Sequence, residues 1–419
     1  MKIRAVPLLT VGIAGLFLAS AVAAVVVSGE DEDQVATGTS TSSSFPPFEE
    51  STTSSSIVET LPTVVTEVPP APVSVAPVTT AAPGASTTTA PGPTAVLATD
   101  PAPCQPPAAQ SAAGSPAGPV GVFTVTVADG SLRLVSAAAR LPAWRPKAGQ
   151  VVTVAVAQGK PSALCLSGPD GAGAKRLTTP AGVGRPALSF DGSRFAVRSA
   201  RPGGVDLVVG SVEGADLKVL LQSGEIGDPV WLGDGSAVVA CAVTGGARRL
   251  VSVPAAGGEP RVLRPTCPPS PVASSPDGKL ISFAQADQVV ALDVRTGAAT
   301  NLKFSTISTA SAPSWSPNGR KVAFAYIDPR GPALGVMDLD AKRGVTLLAA
   351  PGLSGPSWAP AGDLITFTAT DGNALGLFVV KSDGMGFRPV AVCQTRCTIP
   401  AQPWAPDGSR VVVELGPAA

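Results

Sequence analysis

Residues Pro313–Tyr326 read PSWSPNGRKVAFAY, and this stretch decides the fold. A proline and a tryptophan precede a Pro-Asn-Gly turn, and large and small apolar residues then alternate from Val322 to Tyr326. Alternation with a period of two is typical of a β-strand, and an Asn-Gly pair is a strong turn signal. The segment predicts an inner strand at 313–316, a tight turn, and a returning strand at 321–326 that is buried on both faces.

The same pattern occurs seven times, and its period identifies the repeat. The turn glycines stand at 149, 192, 235, 278, 319, 362 and 408, so successive copies are 43, 43, 43, 41, 43 and 46 residues apart. A period of about 40–45 residues with several short strands per unit is typical of a four-stranded propeller blade. We therefore predict an all-β domain at 121–419, a seven-bladed β-propeller of four-stranded blades.

The two ends of this domain are predicted to share one blade. The last copy, from Pro403, ends after its second strand at 410–415, whereas two additional alternating runs, 122–127 and 132–135, precede the first copy. Pairing these N-terminal strands with the last blade closes the ring and removes two open sheet edges. We expect the N-terminal strands to complete the seventh blade.

Three copies resemble the TolB-like propeller repeat, a relative of the WD repeat: SSPDGKLISFA from Ser274, SWSPNGRKVAFAY from Ser314 and PWAPDGSRVVVEL from Pro403. The resemblance implies a propeller of an exported bacterial protein, similar to periplasmic TolB in binding partners. The chain departs from TolB in its seven units rather than six, and in lacking an α/β domain before the propeller. A role in the Tol-Pal system is therefore not implied, since this fold supports many roles.

The N-terminal 120 residues predict an anchor and a linker. Lys2 and Arg4 precede an apolar run that extends to about Val27, and acidic residues follow at 30–33. We predict an uncleaved signal anchor at 1–28, a single transmembrane helix that holds the propeller outside the cytoplasm at the bacterial plasma membrane. Cleavage near Ala21-Val22-Ala23, which would give a secreted protein, is the alternative. Residues 29–120 are rich in Ser, Thr and Pro and predict a disordered linker.

Composition excludes several function classes. The chain has no histidine, which excludes Ser-His-Asp and Cys-His catalysis and His-ligated zinc. Thirty basic residues balance thirty acidic ones, so no net charge favours a nucleic-acid partner. The turn aspartates Asp191, Asp234, Asp277 and Asp407 recur with the repeat and indicate tight turns rather than calcium or acid–base sites. We predict no catalytic residue, no metal ligand and no cofactor.

The six cysteines suggest disulfides in an exported chain. Cys393 and Cys397 are close in sequence and predict a local disulfide, and Cys241 with Cys267 is the second predicted pair. Cys104 and Cys165 either pair with each other or stay free. A redox site is the alternative reading of these thiols.

Ligand sites in propellers lie on loops at one end of the ring. The loops opposite the Asp-Gly turns carry the candidate binding residues Arg198, Arg201, Tyr326, Asp328, Arg330 and Arg396. The leading hypothesis is a non-enzymatic scaffold that binds an envelope protein or a cell-wall component. The alternatives are a His-free hydrolase, lactonase or lyase that uses carboxylates or calcium at the channel mouth, and a sensor of a small ligand.

Overall fold

The structure, a computed structural model, describes Cys104 and residues 121–157, 160–286, 288–303, 309–370, 375–393 and 396–416. All of them belong to the unit Ala90–Ala419. The described residues form strands and turns and no α-helix, as the predicted all-β fold requires. None of these residues belongs to a helix long and apolar enough to cross a membrane. The predicted anchor at 1–28 and, apart from Cys104, the predicted linker at 29–120 lie outside the described residues.

Twenty-eight strands form seven four-stranded sheets. The chain begins with β1 (Gly121–Thr126) and β2 (Leu132–Ser136). Blade 1 then contains β3 (Ala139–Arg145), β4 (Gln150–Ala157), β5 (Lys160–Ser167) and β6 (Lys175–Arg176). Blade 2 contains β7 (Ala187–Leu188), β8 (Arg194–Arg201), β9 (Gly204–Ser211) and β10 (Leu217–Ser223). Blade 3 contains β11 (Val230–Trp231), β12 (Ala237–Thr244), β13 (Ala247–Pro254) and β14 (Arg261–Arg264).

The later blades repeat this order from the inner strand outward. Blade 4 contains β15 (Ala273–Ser274), β16 (Leu280–Gln285), β17 (Gln288–Asp293) and β18 (Ala299–Lys303). Blade 5 contains β19 (Thr309–Trp315), β20 (Lys321–Asp328), β21 (Gly331–Asp338) and β22 (Arg343–Ala349). Blade 6 contains β23 (Ser354–Trp358), β24 (Leu364–Thr370), β25 (Leu375–Lys381) and β26 (Arg388–Cys393). The last two strands are β27 (Arg396–Thr398) and β28 (Arg410–Gly416).

Blade 7 combines both ends of the propeller. Its strand order is β27, β28, β1 and β2, and β1 pairs with β28 in antiparallel register from Gly121 opposite Leu415 to Thr126 opposite Arg410. The predicted closure by the N-terminal strands is therefore confirmed. Because β1 and β28 pair along this whole length, neither strand has an unpaired edge in the middle of blade 7.

Seven buried apolar clusters lie between consecutive blades and join them into a ring. Clusters of this kind connect blade 1 to 2, 2 to 3, 3 to 4, 4 to 5, 5 to 6, 6 to 7 and 7 to 1. In β20, Phe324 packs toward blade 4, whereas Ala323 and Ala325 pack toward blade 6. The alternation in the sequence thus assigns each side chain to one of two cores.

Each tryptophan of the repeat packs against the preceding blade. The indole nitrogens of Trp231, Trp315 and Trp404 donate hydrogen bonds to backbone carbonyls of that blade, as in the 3.1 Å bond from Trp231 to Ala187. The guanidinium of Arg194 lies 4.6 Å from the centre of the Trp231 ring. These tryptophans therefore combine apolar packing with a directional bond between blades.

The inner strands differ in length from the prediction. We expected the inner strand of blade 5 at 313–316, but β19 begins at Thr309 and its register shifts between Ser311 and Ser314. Pro313 has no N–H to donate, so the chain pairs on both sides of it rather than through it.

Proline recurs at this position around the ring axis. Five blades have a buried proline two residues before the tryptophan position, either within the inner strand or directly before it: Pro142, Pro186, Pro229, Pro313 and Pro356. An inner strand is a sheet edge, and proline leaves no unpaired donor there.

Gln402 occupies this position in blade 7. Its side-chain amide donates to the Leu188 carbonyl and accepts from the Leu188 N–H, both at 3.0 Å, and its backbone carbonyl accepts from Trp144 N–H. Gln402 thereby ties the closing blade to blades 1 and 2.

Candidate functional site

The two ends of the ring carry different connections. In an antiparallel four-stranded blade, the turns after the first and third strands lie at one end, which we call the turn end. The turn after the second strand and the connection to the next blade lie at the other, the connection end. The Asp-Gly turns, such as Asp191-Gly192 between β7 and β8, are at the turn end. The candidate binding residues predicted from the sequence belong to the connection end.

The turn-end aspartates are occupied by hydrogen bonds within their own turns. The carboxylate of Asp191 accepts from the hydroxyl of Ser189 at 2.5 Å and from the backbone N–H of Ser193 at 3.0 Å. These hydrogen bonds, that of Ser189 above all, lower the pKa of Asp191 from 3.8 to about 2. Asp407 accepts in the same way from Ser409, which lowers its pKa as well. Their role is to hold the turn.

We expect stability to depend on pH through these turns. A carboxyl group whose pKa is lower in the folded state stabilises the fold fully above its unfolded pKa, and this contribution disappears as pH falls through the folded pKa. For Asp191 the loss should occur between about pH 4 and pH 2. Urea midpoints measured across this range should fall less steeply for Asp191→Asn than for the wild type. Asn318 already fills the same turn position in blade 5, accepting from Ser316 and Arg320, so asparagine fits the geometry. If the urea midpoint fell equally steeply with pH in both proteins, the stabilising role assigned to the Asp191 carboxylate would be contradicted.

Five arginines of blades 2 and 3 lie at the connection end and form what we name the arginine rim: Arg185, Arg198, Arg201, Arg248 and Arg249. Three carboxylates accompany them. Arg201 pairs with Asp206 at 2.7 Å, and Arg248 pairs with Glu225 at 3.2 Å. The charge of this sector is positive, since five guanidinium groups face three carboxylates.

Asp228 is shared by two members of the rim. Arg198 Nε lies 2.9 Å from one carboxylate oxygen and Arg185 Nε lies 3.5 Å from the other. Arg185 and Asp228 stand just before Pro186 and Pro229, so both lie beside the ring axis on neighbouring inner edges. The sequence analysis missed these two residues. One sequence pattern could have identified them: residues of opposite charge directly precede the repeat proline in two adjacent blades.

The structure separates the other predicted binding residues from this group. The returning strand was predicted to end at Tyr326, with Asp328 in the loop that follows, but β20 continues to Asp328, and this prediction is corrected. Tyr326 is 3% exposed, and its hydroxyl bonds to Thr346; burial raises its pKa. The Asp328 side chain is 5% exposed and is paired at 2.8 Å with Arg330, whose hydrogen bond lowers its pKa. Arg396 begins β27, and its side chain lies outside what the structure describes.

The cysteines pair differently from the leading prediction. Disulfides join Cys104 to Cys165 and Cys241 to Cys267, with Cα–Cα distances of 5.6 and 5.7 Å. Cys393 and Cys397 are buried free thiols, so the predicted bond between them is not formed. A hydrogen bond with Cys393, together with burial, raises the pKa of Cys397. The raised pKa disfavours the Cys397 thiolate, and it is the thiolate that reacts to form a disulfide.

A small cavity in the described part of the propeller has no charged lining, and the described acidic and thiol side chains form no metal-binding cluster. A cavity of about 90 Å³ lies between blades 7 and 1, and its lining, which includes Cys104, Val135 and Thr153, carries no charged side chain in the described part. Among the described residues, no group of three or more Cys, Asp or Glu side chains could hold a metal ion. The arginine rim, in contrast, presents charged side chains that are 29–48% exposed to solvent in the cluster around Asp228.

Comparison with known proteins supports the fold. No family model and no curated protein matches the chain. An oligogalacturonate lyase from Vibrio parahaemolyticus is 13% identical, with 70% of this chain and 96% of that chain covered and a TM-score of 0.55. A putative TolB from Agrobacterium tumefaciens is 14% identical, with 71% and 98% covered and a TM-score of 0.46. TolB from Acinetobacter baumannii is 17% identical, with 64% and 63% covered and a TM-score of 0.45. The likeness to the lyase supports the predicted propeller fold, and identities this low carry no information on function.

Proposed function

We propose that this chain is a non-enzymatic binding protein of the bacterial cell envelope, whose propeller binds an envelope protein or a cell-wall component through the connection end. In this proposal the N-terminal segment anchors the chain in the plasma membrane and the linker holds the propeller outside the cytoplasm. The repeat's resemblance to TolB-like propellers, which belong to exported proteins, and the two disulfides support export.

The difference between the two ends of the ring carries this proposal. At the turn end, one short turn recurs, and its aspartates are occupied by hydrogen bonds inside the turn. At the connection end, the sequence varies from blade to blade, and half-exposed arginines lie beside the axis. Binding surfaces are rich in arginine, and variable loops on a rigid scaffold commonly carry recognition.

The enzyme alternative has a weaker structural basis. The lyase neighbour shows that this fold can belong to an enzyme. Asp228 and Glu414 lie near the inner strands at the connection end, where acid–base catalysis would need a carboxylate free to exchange a proton. Asp228 is held by two guanidinium groups, and Glu414 accepts from the backbone N–H of Leu141 at 2.8 Å. This arrangement supports recognition over proton transfer.

Site-specific crosslinking in cells tests the proposal. A photoreactive residue is placed in the full-length chain at Ala247, which is exposed at the connection end, or at Ala361, which is exposed at the turn end. We expect one specific envelope component to be captured from position 247 and not from position 361, because only the first lies beside the rim. Capture from neither position, or only from position 361, would contradict the proposal.

A further inference from the structure

The Arg185–Asp228–Arg198 cluster is built to hold a carboxylate. The two Nε groups approach opposite oxygens of one carboxylate, at 3.5 and 2.9 Å. The side chains of Arg185, Arg198 and Asp228 are 29%, 46% and 48% exposed, so the cluster is open to solvent on one side. A guanidinium group has five N–H donors in a rigid fork. Most of the donors in this pair therefore remain available to a second acidic group.

One glycine makes room for this arrangement, and the backbone of a second holds Asp228 in place. A Cβ atom on Gly184 would lie 2.7 Å from Cγ and 2.8 Å from Nε of Arg198, so the absence of a side chain lets Arg198 cross the inner edge of blade 2 toward blade 3. Gly227, next to Asp228, donates its backbone N–H to the carbonyl of Cys241 at 2.8 Å. Cys241 is bonded to Cys267, so the segment that carries Asp228 is held against a disulfide-bonded strand. Because the cluster is already ordered before a ligand binds, binding costs less conformational entropy.

The charge of the surrounding surface selects the ligand. Within the arginine rim, three carboxylates leave an excess of two positive charges, and Arg201, Arg248 and Arg249 extend this field outward over blades 2 and 3. Arginine forks bind carboxylates through paired charge-assisted hydrogen bonds. The cluster already accommodates a carboxylate on a flexible side chain, that of Asp228, which favours the side chains of an acidic peptide over a phosphate or a sugar acid.

We propose that the arginine rim binds an acidic peptide segment of a partner protein, with glutamate or aspartate side chains placed between Arg185 and Arg198 beside Asp228. This inference rests on the proposed function, because it specifies the chemistry of the partner at the connection end. The Asp228 carboxylate competes with the peptide for the N–H groups of these two arginines.

Fluorescence anisotropy with a labelled peptide of six glutamates separated by glycines tests the inference on the full-length protein. Arg185→Gln with Arg198→Gln should weaken binding at least about tenfold, whereas Arg295→Gln with Arg343→Gln, the same charge change at the turn end, should leave it within about twofold. Asp228→Asn should tighten binding, a gain that a purely structural role of the cluster would not produce. Binding should weaken with salt. Thermal unfolding curves establish that each variant is folded.

Several outcomes would overturn the inference. They are equal binding by the wild type and the Arg185/Arg198 variant, equal losses in the rim and turn-end variants, or binding of polygalacturonate with no binding of the glutamate peptide. If these variants behave alike while position 247 still captures its partner, the acidic-peptide inference fails and the proposed function stands. If no partner is captured at all, the proposed function itself fails.

Discussion

Replacing Trp231 by alanine is expected to lower the free energy of unfolding by about 3–5 kcal/mol. Trp231 is 2% exposed and packs in the core between blades 2 and 3. The substitution removes a large apolar side chain from a site that the surrounding strands cannot refill. It also leaves the carbonyl of Ala187 without its donor and removes the contact with Arg194. Urea denaturation followed by tryptophan fluorescence and circular dichroism gives the change directly.

A matched pair of phenylalanine variants isolates the hydrogen bond. Trp144 is equally buried and occupies the same repeat position, but its indole N–H has no acceptor among the described residues. Trp231→Phe should therefore cost about 1 kcal/mol more than Trp144→Phe, because only the first loses an interblade bond. Equal costs for the two phenylalanine variants would show that the bond adds nothing to packing.

Removing the Cys104–Cys165 disulfide is expected to lower the free energy of unfolding by about 4 kcal/mol. The bond joins residues 61 positions apart, and closing a loop of this length restricts the unfolded chain considerably. Cys104 also packs against Ala155 of β4, so the bond holds Cys104 against blade 1. The measurement compares urea unfolding of the wild type with that of Cys104→Ser/Cys165→Ser, both under non-reducing conditions.

The second disulfide provides the control for this experiment. Cys241 and Cys267 are 26 positions apart, so Cys241→Ser/Cys267→Ser should cost less, about 3.5 kcal/mol. Each double variant keeps one disulfide, so adding a reductant should lower its free energy of unfolding only by the contribution of that remaining bond. Unchanged stability of the Cys104/Cys165 variant would contradict the expected constraint.

The candidate site was only partly predictable. Arg198 and Arg201 were predicted in the loop after the second strand of blade 2, but β8 extends through both of them to Arg201. The partner Asp228 was missed, because it comes from the next blade and meets Arg198 only when the two blades pack. Asp328 was wrongly assigned to a loop, since nothing in the local pattern indicates how far β20 extends.

The sequence alone determined the blade number, the strand order within each blade and the closure by the N-terminal strands. These features follow from local periodicity and turn chemistry, which repeat every 40 or so residues and can be read without any contact between distant residues. The tertiary structure alone decided the Cys104–Cys165 bond, the free thiols at 393 and 397, the bridge from Gln402 to Leu188 and the arginine rim. Each depends on how neighbouring blades approach around the axis, and packing of whole sheets determines that distance and angle.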